Sequence, residues 1–259
     1  MAHRTTVRGI PAWAEPARLL GPGQWTYDGP SAQAELTTFA AADLDARLRG
    51  VSIGGRPLSL VADPPLPRAA VRAARTTDAR RRRETTPGFT RPGTRLDEEG
   101  RWSLTPEALA LATGERARGR AVVDAGCGAG GNTIGFARAG SPVVAVERDG
   151  RRLADARHNA RVYGVEDRVR FVHGRAEDLL PGIDAEILFV DPPWGREWSR
   201  GRTTLADLPE LQAILGAAGR FAEVWAKVPP SFDPGEVPGA RAEAVYGVAR
   251  GDERRVKFL

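Results

Sequence analysis

Residues 120–139 read RAVVDAGCGAGGNTIGFARA. A short β-branched run ends in an aspartate, four glycines follow within six residues, and a helix-forming stretch begins. Strand, glycine loop and helix in that order open a sheet whose helices cover its faces. Downstream the alternation continues through SPVVAVE, DGRRLADARHNARVYG, RVRFVHG, AEDLLPG, AEILFVD, TLADLPELQAILGAAG and RFAEVWAKV. The fold class is α/β, a Rossmann-like, doubly wound, mostly parallel sheet. The tail, GARAEAVYGVA then GDE then RRVKFL, predicts a C-terminal antiparallel hairpin that closes the sheet edge. Upstream, SLTPEALALAT predicts a helix with Ser103 or Thr105 as N-cap and Pro106 at its first position.

Ahead of this region the signals are sparse. They predict a helix in AELTTFAAADLDARLRG, a strand around RPLSLVA and an Ala/Arg-rich helix over residues 67–83, followed by a turn-rich linker. Residues 1–95 therefore read as a small N-terminal extension, substrate-binding or a lid, and residues 96–259 as the catalytic domain. No stretch approaches the roughly 20 apolar residues that span a membrane, and the N-terminus has no continuous apolar core of a signal peptide. Cys127 is the only cysteine, which excludes an intramolecular disulfide and a thiolate zinc cluster, and the three histidines are too scattered for a metal site. A cytoplasmic location is the default.

The net charge is +5, and only Lys227 and Lys257 among the cations are lysines. Arg80, Arg81, Arg82 and Arg83 form a run with further arginines around it. Such a stripe suits the phosphates of a polyanion, and a solvated helix face is the competing reading.

Gly126, Gly128 and Gly131 fit a dinucleotide-type loop, a weak signal alone. Asp124 at the strand end argues against a pyrophosphate, and the pattern Asp124-x-Gly126-x-Gly128-x-Gly130 resembles motif I of class I S-adenosylmethionine-dependent methyltransferases. An acidic side chain there complements a ligand carrying ammonium and sulfonium charges. Glu147 ends the second strand, placed to accept both ribose hydroxyls, with Asp149 the better helix cap. After the third strand, Arg175 stands where such enzymes commonly carry an acid. Glu177 and the backbone of Ala176 are the candidates for the adenine edge.

The fourth strand leaves through Asp191-Pro192-Pro193-Trp194-Gly195. This resembles the signature of methyltransferases acting on amino groups conjugated to rings. An exocyclic amine of guanine or adenine shares its lone pair with the ring and is a poor nucleophile. Asp191 and the Pro192 carbonyl can accept its two N–H groups and aim the nitrogen. The prolines stiffen that acceptor pair, and Trp194 offers a flat face to the base. A buried tryptophan after a proline-ended strand is the bland alternative.

Taken together, LDEEGRWSLTPEALA, VVDAGCGAGGNTIGFA, ARHNARVYGV and LFVDPPWG resemble the RNA cap guanine-N2 (trimethylguanosine synthase-like) methyltransferase family. The resemblance runs from about Arg95 to Gly195. It implies S-adenosyl-L-methionine as cofactor, no metal, RNA as partner and guanine N2 as the methylated atom. It implies Trp194 stacked on guanine, Pro193 beside it, and Thr105 and Asn132 as polar contacts to the cofactor. Thr105 also fits a plain N-cap, and Asn132 a helix start. Asp191 stands where the cap enzymes have serine, which leaves the RNA itself open. The alternatives are an N-methyltransferase for a small aromatic or nucleoside-like metabolite, and an RNA-binding protein that keeps the fold without turnover.

Overall fold

Five strands pair side by side in parallel, in the order Glu223–Ala226, Ile187–Val190, Val122–Ala125, Val143–Glu147, Val169–His173. The computed structural model describes residues 1–83, 88–98, 100–194 and 201–259. Every residue of Val122–Ala125 and of Ile187–Val190 is buried, as the uninterrupted apolar runs VVDA and ILFV require of central strands. The edge strands Glu223–Ala226 and Val169–His173 carry polar residues and stay partly exposed. The first three strands step outward in sequence on one side, and the last two lie on the other. Strand order thus reverses between Val122–Ala125 and Ile187–Val190, and ligands in such sheets bind at the carboxyl ends beside that reversal.

Helix Glu107–Arg116 packs on helix Gly131–Arg138 through glycines, which sets how close the two backbones come. A Cβ on Gly135 would stand 2.3 Å from the Ala110 carbonyl oxygen, a distance no side chain tolerates. Beneath them Phe136 meets Phe189 edge-on, with ring centroids 5.1 Å apart.

The chain divides into two compact units. One comprises Thr86–Pro193 and Leu208–Lys227 and holds the parallel sheet; the other comprises Met1–Thr85, Trp194–Asp207 and Val228–Leu259. The second is built on an antiparallel sheet in the order Thr26–Asp28, Ser31–Thr37, Ala2–Arg8, Ser59–Asp63. Ala2–Arg8 and Ser31–Thr37 alternate buried and open residues, the signature of a sheet with one covered face. Its core joins Val7, Leu36 and Leu44 to Ile53 and to Tyr246 near the C-terminus.

Three expectations change here. The division does not fall at residue 95: 194–207 and 228–259 group with the N-terminal residues, and Ala244, Tyr246, Val256 and Leu259 pack into the N-terminal core. The C-terminal hairpin forms from Val245–Tyr246 and Val256–Phe258, but as a two-stranded sheet of its own and not as an edge of the parallel sheet. The helix foreseen in AELTTFAAADLDARLRG begins later, at Thr38, because the residues before it alternate and pair with Ala2–Arg8. The Ala/Arg-rich helix is present as Arg68–Arg83.

Candidate active site

The carboxyl ends of three central strands and one edge strand bring the charged residues of the parallel-sheet unit together. Asp124 is the penultimate residue of the first strand and is 1% exposed. Its Oδ2 accepts from the Thr133 hydroxyl at 2.5 Å, while Oδ1 is buried with no hydrogen-bond partner. Burial pushes its carboxyl up to about 7, with Asp191 and Glu147 adding repulsion and the Thr133 bonds opposing. A buried, half-satisfied carboxylate beside two more acids is suited to receive a cation.

The loop that follows keeps room for a ligand. Gly126 and Gly128 have φ of 85° and 53°, and a Cβ on either would meet nothing within 4 Å. The glycines are needed for the left-handed turn, and they leave the loop's open side bare. Glu147, buried at the end of the second strand, fixes this loop: Oε2 accepts from the Gly128 N–H and Oε1 from the Asp149 N–H, both at 2.9 Å. Asp149 itself caps the next helix, accepting from the Arg151 and Arg152 N–H groups. At the third strand's end Ala176 is buried at the start of a short helix, and Glu177 pairs with Arg175. An open glycine cradle, a half-satisfied buried carboxylate and a second carboxylate held at the adjoining strand end fit the sulfonium, the ammonium and the ribose of S-adenosylmethionine.

Asp191 follows Val190, and Lys227 follows Ala226; Val190 and Ala226 are register partners. The sheet therefore sets these two side by side, and the Lys227 N–H donates to the Val190 carbonyl at 2.8 Å. Asp191 Oδ2 accepts three bonds: from Lys227 Nζ at 2.5 Å, from Asn132 Nδ2 at 2.9 Å and from the Thr105 hydroxyl at 3.2 Å. Lys227 Nζ also donates to Thr105 Oγ1 at 2.7 Å. All three donors converge on one oxygen, so the carboxylate is held by Oδ2 and presents Oδ1. Pro192 is buried and Pro193 exposed.

Two assignments change with this geometry. Thr105 is not a helix cap: Pro106 occupies the cap position, and the Thr105 hydroxyl is spent on Asp191 and Lys227. Asn132 likewise turns its amide to Asp191. Lys227 was not singled out by sequence reasoning. Its signal is a buried lysine, 6% exposed, at the end of a strand in a chain that otherwise uses arginine.

Trp194 is half-buried and belongs to the antiparallel unit. So do the arginines of the stripe, which do not act alike. Arg80 is exposed, whereas Arg81 and Arg82 are half-buried and pair with Asp43 and Asp78; the Arg83 side chain lies outside the described residues. Cys127 is buried in the glycine loop, and burial raises its thiol well above the ordinary range, which removes it as a nucleophile. Among the described residues no group of three or more His, Cys, Asp or Glu is placed to hold a metal ion, and no helix is long and apolar enough to cross a membrane.

The profile of one family, described as RNA cap guanine-N2 methyltransferase, matches residues 119–209, a span that takes in Asp124, the glycine loop, Glu147 and Asp191. Trimethylguanosine synthase of Schizosaccharomyces pombe is 34% identical over 118 residues, which are 42% of this chain and 49% of that protein. An uncharacterized RNA methyltransferase of Gloeobacter violaceus is 47% identical over 72 residues, 28% of this chain and 16% of that one. Among solved structures, an RNA methyltransferase of Salinibacter ruber in complex with S-adenosyl-L-homocysteine gives a TM-score of 0.41 at 22% identity, over 57% of this chain and 88% of that chain. The match thus spans about half the length of the fission-yeast relative, and less of the Gloeobacter one.

Proposed function

We propose that this protein is an S-adenosylmethionine-dependent N-methyltransferase acting on guanine N2 of an RNA, a reading supported by the match of residues 119–209 to the RNA cap guanine-N2 methyltransferase profile. The observation that carries the reading is Asp191, held through Oδ2 alone at the end of the fourth strand, beside Pro192 and across the strand reversal from the glycine loop. The cofactor's contribution is an electrophilic methyl group on a sulfonium.

Asp124 faces that positive charge, and Glu147 takes the ribose hydroxyls. Asp191 Oδ1 accepts one N–H of the guanine amine, the Pro192 carbonyl accepts the other, and the pair points the nitrogen lone pair at the methyl carbon. Bound there, S-adenosylmethionine would supply the methyl group to that nitrogen and leave as the neutral thioether. Asp191 takes the surplus proton only after the nitrogen has become cationic, so no strong base is needed. Lys227, Asn132 and Thr105 keep the carboxylate from turning, which preserves the near-attack geometry. Trp194, next in the motif, is assigned to stack on the base, and Pro193 to line its approach. Ala176 and Glu177 serve the adenine edge; a bond from its own backbone N–H first, and then the Arg175 pair, hold the Glu177 carboxyl below its ordinary range.

The test is a methyl-labelling reaction. Purified protein, S-adenosylmethionine carrying a labelled methyl group and total bacterial RNA are combined, and the RNA is digested to nucleosides for mass spectrometry. Labelled N2-methylguanosine is expected. Label in N6-methyladenosine would move the target base, and label confined to small molecules would replace the RNA by a metabolite.

A further inference from the structure

Within the antiparallel unit, helix Thr38–Leu48, the last turn of helix Arg68–Arg83 and the C-terminal segment enclose a cavity of about 220 Å³. Six cationic side chains line it: Arg47, Arg81, Arg82, Arg254, Arg255 and Lys257. Among the described residues three carboxylates answer them. Asp43 pairs with Arg47 at 3.3 Å and Arg81 at 2.8 Å, Asp78 pairs with Arg82 at 2.7 Å and with Arg255, and Asp252 pairs with Lys257 at 2.5 Å. Arg254 makes no salt bridge within 4 Å among the described residues, and the Glu253 carboxylate beside it feels its charge together with that of Arg81. The wall is therefore over-supplied with positive charge.

Donors are left over as well. Arg47 is spent, its terminal nitrogens bonded to the Leu19 and Leu20 carbonyls. Arg81 bonds through Nη1 and Arg82 through Nε, so each keeps its remaining fork. Arg255 bonds through Nη2, and its Nε is buried without a partner. The crowding also registers on Arg47, whose guanidinium is lowered to about 10 by burial first and then by the repulsion of Arg254. Asp252 is the opposing feature: its carboxylate lines the same cavity, but Lys257 neutralises it.

We propose that this cavity is a phosphate-binding site, and that the phosphate it takes belongs to a polynucleotide. A phosphate offers several anionic oxygens to several guanidinium forks, which a lone carboxylate cannot. The positive charge does not stop at the cavity. Helix Arg68–Arg83 carries seven arginines and one aspartate, with Arg68, Arg72 and Arg80 exposed along it, so one phosphate in the cavity is continuous with a track for its neighbours. The polynucleotide as source rests on the RNA reading given above; the phosphate chemistry does not.

The test uses the full chain, a fluorescein-labelled single-stranded RNA of about 20 nucleotides and a salt titration. Arg254→Ala is expected to weaken RNA binding about three- to tenfold and to lower the slope of log affinity against log salt by about one, with Arg254→Lys restoring most of both. Equal affinity and slope in the parent and Arg254→Ala would overturn the site. Inorganic phosphate is titrated in parallel by calorimetry. If it binds in an Arg254-dependent way while RNA does not bind, the polynucleotide is excluded and the source is a small phosphate. Binding of S-adenosylhomocysteine is measured on the same preparations. Its absence alongside Arg254-dependent RNA binding would sink the methyltransferase reading and leave the cavity assignment standing.

Discussion

The two units carry opposite imbalances of buried charge. At the strand ends of the parallel sheet, Asp124, Glu147 and Asp191 lie near one another with Lys227 paired to Asp191, and Asp124 is driven toward its neutral form by burial. In the cavity of the antiparallel unit six cations outnumber the three acids they pair with, and Arg47 is pushed toward its own neutral form by burial and by Arg254. Each unit holds a lysine–aspartate pair with one buried member, Lys227 with half-buried Asp191 and Asp252 with half-buried Lys257. Folding alone gains nothing from either surplus, since unpaired buried charge destabilises. The difference teaches that the acidic surplus suits a cationic ligand and the basic surplus a polyanion, the two fields that the proposed methyl transfer to RNA calls for.

The harshest way to break that comparison is at Asp191. Asp191→Ala is expected to lower kcat at least a hundredfold while leaving S-adenosylhomocysteine affinity within about twofold. Asp191→Asn, which keeps the shape, separates lost chemistry from lost folding. Wild-type turnover in both variants would take Asp191 out of the mechanism.

Next comes its anchor. Lys227→Met removes the 2.5 Å contact to Oδ2 and should reduce kcat about ten- to a hundredfold with a smaller change in KM. Lys227→Arg should recover part of the rate. A melting curve taken alongside reads the cost of leaving Asp191 unpaired, about 3–5 kcal/mol if the pair stays dry. A fall in stability with kcat intact would make Lys227 structural and no more.

The third handle is pH. Asp124 ionises at about 7 in the folded chain and near the ordinary carboxylate value when unfolded. Between those values the folded state holds the extra proton, so stability without ligand declines as pH rises through this window and is level above it. A cationic ligand prefers the ionised form, so S-adenosylmethionine affinity should climb about tenfold from pH 6 to 8. Asp124→Asn should flatten that dependence; a slope that persists in the variant would assign it to another group. The mildest effect, the salt slope at Arg254, probes the basic side of the contrast.

How much of this was legible beforehand varied with how local the signal is. Strand, glycine loop and helix are written in contiguous residues, so the parallel sheet, Asp124, Glu147 and Asp191 could be placed from spacing alone. Lys227 could not, because its meeting with Asp191 depends on the register of two strands separated by more than 30 residues. Thr105 was misread for a related reason: a threonine before Pro-Glu has the local form of a cap, and its hydroxyl finds stronger partners from distant segments. The arginine run was visible, but not its inward turn, since Asp43 lies 38 residues before Arg81. The antiparallel unit was nearly silent: its alternating strand AHRTTVR is short, with few apolar residues, and its core is completed from the far end of the chain.

The interleaving of the two units has a practical side. The backbone passes from one to the other four times, once within the Asp-Pro-Pro-Trp motif between Pro193 and Trp194. Ala244 and Tyr246 are built into the same core as Val7 and Leu44, and the Tyr246 hydroxyl donates to the Ala14 carbonyl. No single cut releases either unit whole. A gene trimmed to residues 96–259 would encode Tyr246 without the residues that bury it, so the parallel-sheet half is not a portable cassette. Fusions, permutations and domain exchanges have to carry the antiparallel unit along.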